Sequence, residues 1–428
     1  MSGCGTIAEI RAALVSGRTS PVDVVSAVLG RIERDDPALR AWVHVDAEGA
    51  LAAARSVDVR QGPLAGVPFG VKDVIDVRGM PTRYGSPGVH ARTPVSDAWC
   101  VAVMRAAGAI PIGKLASTPF AFRDPPAATC NPWDLYRTPG GSSAGSAASV
   151  GARQVPFSFG TQTGGSTLRP AAYNGVVGLI TTLGKIPTVG MCPLAPTLDR
   201  VGIMARTVAD ATTLLGAYDA AVLEAAAPGR VRIGFARSFQ DSVIDAAVGV
   251  VIDRALARLV GMDIEEIALP QAVLDGAVAW ENLMAFEIAR LLPPSLGEEA
   301  GSASLAATLT RGAAIPFATY TDALATRRRA QAEFDKLFAR CDVIAHAAAG
   351  SPPDRSDTGH AQLALSWPPT ALGLPAVTIP AGLTPEGWPV GLQLVGQRGK
   401  DGELLAVALA VERAIDFRAV PSGLSQRR

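Results

Sequence analysis

The run Gly160-Thr161-Gln162-Thr163-Gly164-Gly165-Ser166 sets two glycines directly before a serine. Glycines there permit a tight turn in which successive backbone N–H groups point the same way. Such a turn is an anion-binding nest, here with a hydroxyl at its end. Acyl transfer needs a nucleophile, a base to activate it and donors for the developing oxyanion. This run offers the first and the last. Gly-Gly-Ser also occurs in ordinary turns, so the run alone leaves both readings open.

The base is harder to find. Histidine is the usual choice, but the chain has only His44, His90, His346 and His360, none of them near the run in sequence. Each reads more readily as a surface or structural residue. A neutral lysine does the same work where apolar surroundings lower its pKa. Only five of the 39 basic residues are lysines: Lys72, Lys114, Lys185, Lys336 and Lys400. Arginine cannot act as a proton acceptor, whereas a buried lysine can lose its charge. Lys72 follows Val67-Pro68-Phe69-Gly70-Val71 and precedes Asp73-Val74-Ile75, so a mostly apolar strand carries it inward. The competing reading is an edge-strand lysine paired with Asp73.

A rival nucleophile must be weighed. Gly141-Ser142-Ser143-Ala144-Gly145 fits the G-x-S-x-G elbow, with Ser143 as nucleophile and His346 or His360 as base. That elbow requires a strand immediately before it. The preceding Asn131 to Thr138 reads as loop, with Pro132 inside it and Pro139 after it. No lysine has a serine three residues before it, so S-x-x-K chemistry is absent.

These residues need elements to position them. Thr19-Ser20-Pro21 caps a predicted helix over 22–34, a second is predicted at 47–60, and the first sixty residues read as helical. Strands are predicted at 67–71, 110–115, 155–160, 176–180, 231–236, 343–346, 376–379 and 391–395. Helices are predicted at 97–109, after Thr207, and at 246–260, 320–340 and 403–415. This alternation argues for an α/β fold with a mostly covered sheet. Small residues crowd 139–190, which suggests backbone closely approaching backbone or ligand. The segment 294–314 has weak periodicity and suits a mobile cover or a variable loop.

Composition narrows the function. At 428 residues, 48% hydrophobic and 18% charged, the chain can bury a sizeable core. No internal repeat or linker is evident, so one domain over 1–428 is expected. Its parts would be a helical 1–60, a catalytic core at 61–215, a variable cover at 216–345 and closing strands and helix at 346–428. With 39 acidic and 39 basic residues the formal charge is zero, and no nucleic-acid partner is expected. No apolar run reaches membrane-spanning length, and Glu9 and Arg11 interrupt any signal-like start, so a cytoplasmic protein with no membrane partner is expected. The five cysteines are scattered and lack metal-ligand spacing, so idle thiols and no metal are expected.

Several motifs in order then add up to a resemblance. Gly66 to Asp73, followed by Gly79-Met80-Pro81-Thr82 and Gly85-Ser86, resembles the lysine-bearing segment of the amidase signature family. Pro139 to Ser146 and Gly160 to Ser166 resemble its two serine motifs. Leu198-Asp199-Arg200-Val201-Gly202 and Ala205 to Asp210 resemble its trailing motif, with looser likeness at 373–377 and 387–394. The resemblance implies a single α/β/α domain around a large mixed sheet, with no metal and no cofactor. It implies Ser166 as nucleophile, Ser142 as a cis-peptide serine that relays the proton, and Lys72 as base. It implies an oxyanion hole of the backbone amides of Thr163, Gly164, Gly165 and Ser166.

The expected partner is then a small-molecule amide or carbamate, and a homodimer is compatible with this reading. Within the family an A-type transfer-RNA amidotransferase subunit is a rival, as is a non-catalytic binding relative. The chain also departs from many relatives. Gln162 stands where they carry Asp, Leu168 where they carry Arg, and Ile180 where lysine is common; Arg169 follows one place later. Losing the Asp and the Arg together avoids an orphan charge. Gln162, Arg169 and Phe120-Ala121-Phe122-Arg123-Asp124-Pro125 are similar to bacterial malonamidase-like amidases. Arg169 could favour a substrate carboxylate, or instead hold a backbone carbonyl or an acidic neighbour. Phe120 and Phe122 could line an apolar pocket for aryl amides, carbamates or esters.

Overall fold

The protein was analysed as a computed structural model that describes residues 4–124, 127–354 and 364–424. Among these, eleven strands form one mixed sheet. They are β1 (Trp42–Val45), β2 (Pro68–Lys72), β3 (Ile110–Leu115), β4 (Phe157–Gln162), β5 (Val177–Ile180) and β6 (Arg200–Ala205). The second half adds β7 (Arg232–Phe235), β8 (Asp263–Glu266), β9 (Val343–Ala347), β10 (Ala376–Leu383) and β11 (Pro389–Gly396). Their order across the sheet is β1-β3-β2-β4-β6-β5-β10-β11-β9-β7-β8. β2 runs parallel to both β3 and β4, whereas β4, β6, β5, β10, β11 and β9 alternate antiparallel. Helices cover the sheet, as the alternation of predicted elements anticipated.

Three strands were not predicted, each for a physical reason. β1 lies within the stretch read as helical, and its residues are only partly buried. β8 is Asp-Ile-Glu-Glu at a sheet edge, where charge replaces the usual apolar pattern and discourages further pairing. β6 opens on an arginine, which argues against a buried strand. Yet Arg200 is 2% exposed, because its guanidinium donates to the carbonyls of Thr181, Pro369, Thr370 and Leu374 at 2.6–3.2 Å. A charge that donates four hydrogen bonds can sit inside.

The 294–314 segment is helical rather than a loop. It forms helices Leu296–Glu299 and Ala303–Ala314, and the second packs on helix Ala277–Leu291. Its buried positions are Leu305, Thr308, Leu309 and Gly312, a helical spacing in which two of four residues are not hydrophobic. That dilution explains the weak periodicity. Gly312 lets the helices touch: a Cβ there would lie 1.8 Å from the Ala285 carbonyl oxygen. The Ser302 hydroxyl caps the helix at Leu305 N and donates to Asp124 at 2.9 Å.

The candidate functional residues rest on interior strands of the sheet. Phe69 of β2 stacks on Phe157 of β4 with centroids 5.0 Å apart, and Phe159 meets Phe69 edge-on at 5.9 Å. All three rings are fully buried. Helix Ala144–Gly151, built from Ala, Gly, Ser and Val and buried throughout, lies against β4. Its Ser146 hydroxyl donates to Phe159 O at 2.9 Å. Small residues were expected to mark close backbone approach, and here they do. A Cβ on Gly145 would sit 2.3 Å from Ala41 O. Removing the stacked ring should loosen β2 against β4, so Phe157→Ala is expected to destabilise the fold by about 3–5 kcal/mol. Urea denaturation followed by tryptophan fluorescence would measure the loss.

Candidate active site

Lys72 is the last residue of β2 and is fully buried. Its Nζ donates to the Ser142 hydroxyl and to the Thr161 hydroxyl, each at 2.7 Å. Burial drives its pKa well below the ordinary lysine value, against a smaller opposing pull from Asp199. The pairing with Asp73 does not form. Asp73 instead meets Lys114 at 3.3 Å and accepts from the backbone N–H groups of Arg83 and Gly85. Two adjacent residues therefore separate an ion-paired carboxylate from an amine whose hydrogen bonds go to hydroxyls. Ser142 follows a cis Gly141–Ser142 peptide bond, and the Arg169 Nη2 donates to the Gly141 carbonyl at 2.7 Å.

The turn after β4 carries Thr163, Gly164, Gly165 and Ser166, and helix Leu168–Asn174 follows at once. Three side chains brace this turn. Asp199 accepts from the Thr163 hydroxyl at 2.6 Å and from Leu194 N and Ala195 N at 2.8 and 2.9 Å. The Thr370 hydroxyl donates to the Gly164 carbonyl at 2.7 Å. Gln162 accepts Thr167 N and Leu168 N at 2.8 and 3.1 Å and donates to Thr370 at 2.9 Å. Thr161, Asp199 and Thr370 were not assigned roles from sequence. Asp199 stood inside a recognised motif; Thr370 is 206 positions from Gly164 and gave no local signal.

An open cleft lies over the turn. Ser142, all of Thr163 to Ser166, Arg169 and Phe122 line it, together with Leu194, Trp280 and Met284. Lys72 sits behind Ser142, outside the lining, and two of the substrate-binding candidates also fall outside it. Phe120 stacks on Tyr84 at 5.2 Å, and Gln162 is fully buried as a brace. Trp280 and Met284 come from helix Ala277–Leu291, which the sequence reading did not resolve. An Arg123–Glu281 ion pair of 2.6 Å ties that helix to the segment before the first serine motif.

The elbow alternative lacks its geometry. Among the described residues no strand leads directly into Ser143, which is fully buried. Its hydroxyl exchanges hydrogen bonds with Thr161 O and Thr161 N at 3.3 and 3.2 Å. His346 is buried between Ala347 O and Gln393, and burial lowers its pKa to about 4. His360 lies outside the described residues.

A model of the amidase family matches residues 23–405. The chain belongs to the amidase signature family. It is 34% identical to the A-type subunit of the glutamyl-tRNA(Gln) amidotransferase of Roseiflexus castenholzii, with 96% of both chains covered. Among solved structures it is similar to an amidase at 29% identity and TM-score 0.88, covering 96% of this chain and 99% of that one. It is also similar to the peptide amidase of Stenotrophomonas maltophilia, at 26% identity and TM-score 0.81, covering 97% and 98%. As an amidase-family member it is an amide C–N hydrolase in reaction class.

Among the described residues of this amidase, no helix is long and apolar enough to cross a membrane, and no cluster of His, Cys, Asp or Glu could hold a metal ion. The Gln162 departure has a structural account: a neutral amide can both accept the two helix N–H groups and donate to Thr370, which a carboxylate cannot. Gln162→Leu is expected to strand those three buried partners and cost about 1–3 kcal/mol. A lowered urea midpoint would register it, and an unchanged midpoint would contradict the bracing role.

Proposed function

We propose that this amidase hydrolyses the C–N bond of a small uncharged amide through an acyl-enzyme on Ser166. Ser142 relays the proton and Lys72 is the base. The observation that carries the reading is the 2.7 Å contact between Lys72 Nζ and a Ser142 hydroxyl that lines the same cavity as Ser166. The Ser166 Oγ attacks the substrate carbonyl carbon while its proton passes through Ser142 to neutral Lys72. Backbone N–H groups of Thr163, Gly164, Gly165 and Ser166 receive the oxyanion. As the tetrahedral adduct collapses, Lys72 returns the proton through Ser142 to the leaving nitrogen. Water then repeats the cycle on the acyl-enzyme, releasing the acid and restoring Ser166. The same steps serve carbamates, aryl amides and esters.

The cavity wall supports an uncharged acyl group. Phe122, Leu194, Trp280 and Met284 are apolar, and both nearby arginines are engaged. Arg169 holds Gly141 O, and Arg123 holds Glu281. The expectation of an arginine directed at a substrate carboxylate therefore gains no support, and Arg169 reads better as a brace for Ser142.

A second reading follows from the Roseiflexus relative, an amidotransferase component that matches 96% of this chain. In that reading the same chemistry would release ammonia within a larger assembly. Ammonia release by the purified chain from hexanamide and benzamide would favour the free amidase. Release only from glutamine, and only with partner proteins added, would favour the other reading.

Ser166→Ala is expected to abolish turnover of these amides, and Lys72→Ala to lower it by about three orders of magnitude or more. Ser142→Ala should be severe on amides yet leave residual cleavage of activated esters, whose leaving group needs no proton. A greater loss in Ser143→Ala than in Ser166→Ala would overturn the assignment.

Because burial depresses the Lys72 pKa, the base is neutral above that pKa and protonated below it. Activity should rise with pH through the lowered value and remain high above it; a profile requiring a protonated group near neutrality would contradict Lys72 as base. Arg169→Ala should lower turnover of hexanamide and malonamate alike. A malonamate preference that disappears in Arg169→Ala would instead restore the carboxylate reading.

A further inference from the structure

We infer that Asp199 is a positioning residue for the proposed reaction: it fastens the Thr163 end of the oxyanion turn to the Leu194 wall and places a buried negative charge near Lys72. The inference rests on the reading of Lys72 and Ser166 given above. Its geometry is direct. One carboxylate oxygen accepts from the Thr163 hydroxyl at 2.6 Å, and the other from Leu194 N and Ala195 N at 2.8 and 2.9 Å. Thr163 and Leu194 both line the cavity, so a single side chain joins two of its walls.

The two segments that Asp199 joins are both held close to Lys72. Cys192 N donates to Val74 O at 2.8 Å, two residues beyond Lys72. Thr161, two residues before Thr163, accepts from Lys72 Nζ. Asp199 is 4% exposed, and its charge is the largest influence opposing the burial that strips Lys72 of its proton.

Burial raises the Asp199 pKa to about 6 despite its three hydrogen bonds. Above that value the carboxylate favours the ammonium form of Lys72 and so moves the onset of activity upward. Other groups face this pair. Glu287, from helix Ala277–Leu291, bonds Thr197 and Tyr320 and adds like charge to Asp199. The Cys192 thiol is pushed up to about 12 by burial and stays neutral across the working range.

Three variants separate the two tasks. Asp199→Asn can keep both attachments, because its oxygen accepts the backbone N–H groups while its amide donates to Thr163. Thr163→Val removes the attachment and keeps the charge, and Asp199→Ala removes both. The readout is the nitrophenolate burst on acylation by p-nitrophenyl acetate, followed against pH, with thermal melts to verify folding.

The expected result for Asp199→Asn is a near-normal plateau with its acidic limb moved down by about 1 pH unit. Thr163→Val should lower the plateau about 10- to 100-fold with the limb in place. Asp199→Ala should show both changes; if it fails to fold, the other two variants carry the test. A limb unmoved in Asp199→Asn together with an undiminished plateau in Thr163→Val overturns the inference. The parent reading fails separately, through an absent burst in the unaltered enzyme or an unchanged burst and limb in Lys72→Ala.

Discussion

The structure turns on a lysine buried without a carboxylate to pair with. Removing an ammonium group from water costs far more than two hydroxyl contacts return, so burial favours the neutral amine. That outcome requires the neighbouring Asp73 to be occupied elsewhere. Lys114 and two backbone N–H groups occupy it. Were Asp73 free to reach Lys72, the ammonium form would be stabilised and no base would exist at neutral pH. The stacked phenylalanines pack together β2 and β4, the two strands that carry Lys72 and its partner Thr161.

Around that amine the chain solves a second problem, the rigidity of a turn made of glycine. Gly164 and Gly165 permit the turn but do nothing to hold it. Rigidity comes from side chains beyond the turn: Asp199 at Thr163, Thr370 at Gly164 O, and Gln162 at the first amides of the following helix. Thr370 is itself held by Arg200, which gathers its carbonyl together with those of Pro369 and Leu374. Preorganised donors act without rearranging at the moment of reaction, and this scaffold supplies that condition.

The cavity is closed by a different part of the chain. Trp280 and Met284 reach it from helix Ala277–Leu291, which packs on Ala303–Ala314 across Gly312. Asp124 joins the second of these helices to the segment leading into the first serine motif through Ser302. In the proposed reading, substrate choice and catalytic chemistry sit on separate elements. Turn and lysine belong to interior strands of the sheet, whereas the apolar wall belongs to the helical cover.

The sequence by itself determined whatever depends on neighbours along the chain. A Gly-Gly-Ser turn, a lysine at the end of an apolar strand and a serine in a small-residue run are local patterns. So is the alternation that gave eight of the eleven strands. Only the tertiary structure decided who meets whom. Lys72 lies 70 positions from Ser142 and 89 from Thr161, while the Asp73 that seemed the nearer partner turns to Lys114. Arg169 and Gln162 were legible as departures, and a backbone carbonyl was one of the partners open to Arg169, but the actual partners Gly141 and Thr370 are chosen by folding. β6 and the 296–314 helices were hidden for a related reason. A buried arginine and a threonine–glycine helix face become favourable only when distant carbonyls and a neighbouring helix arrive to receive them.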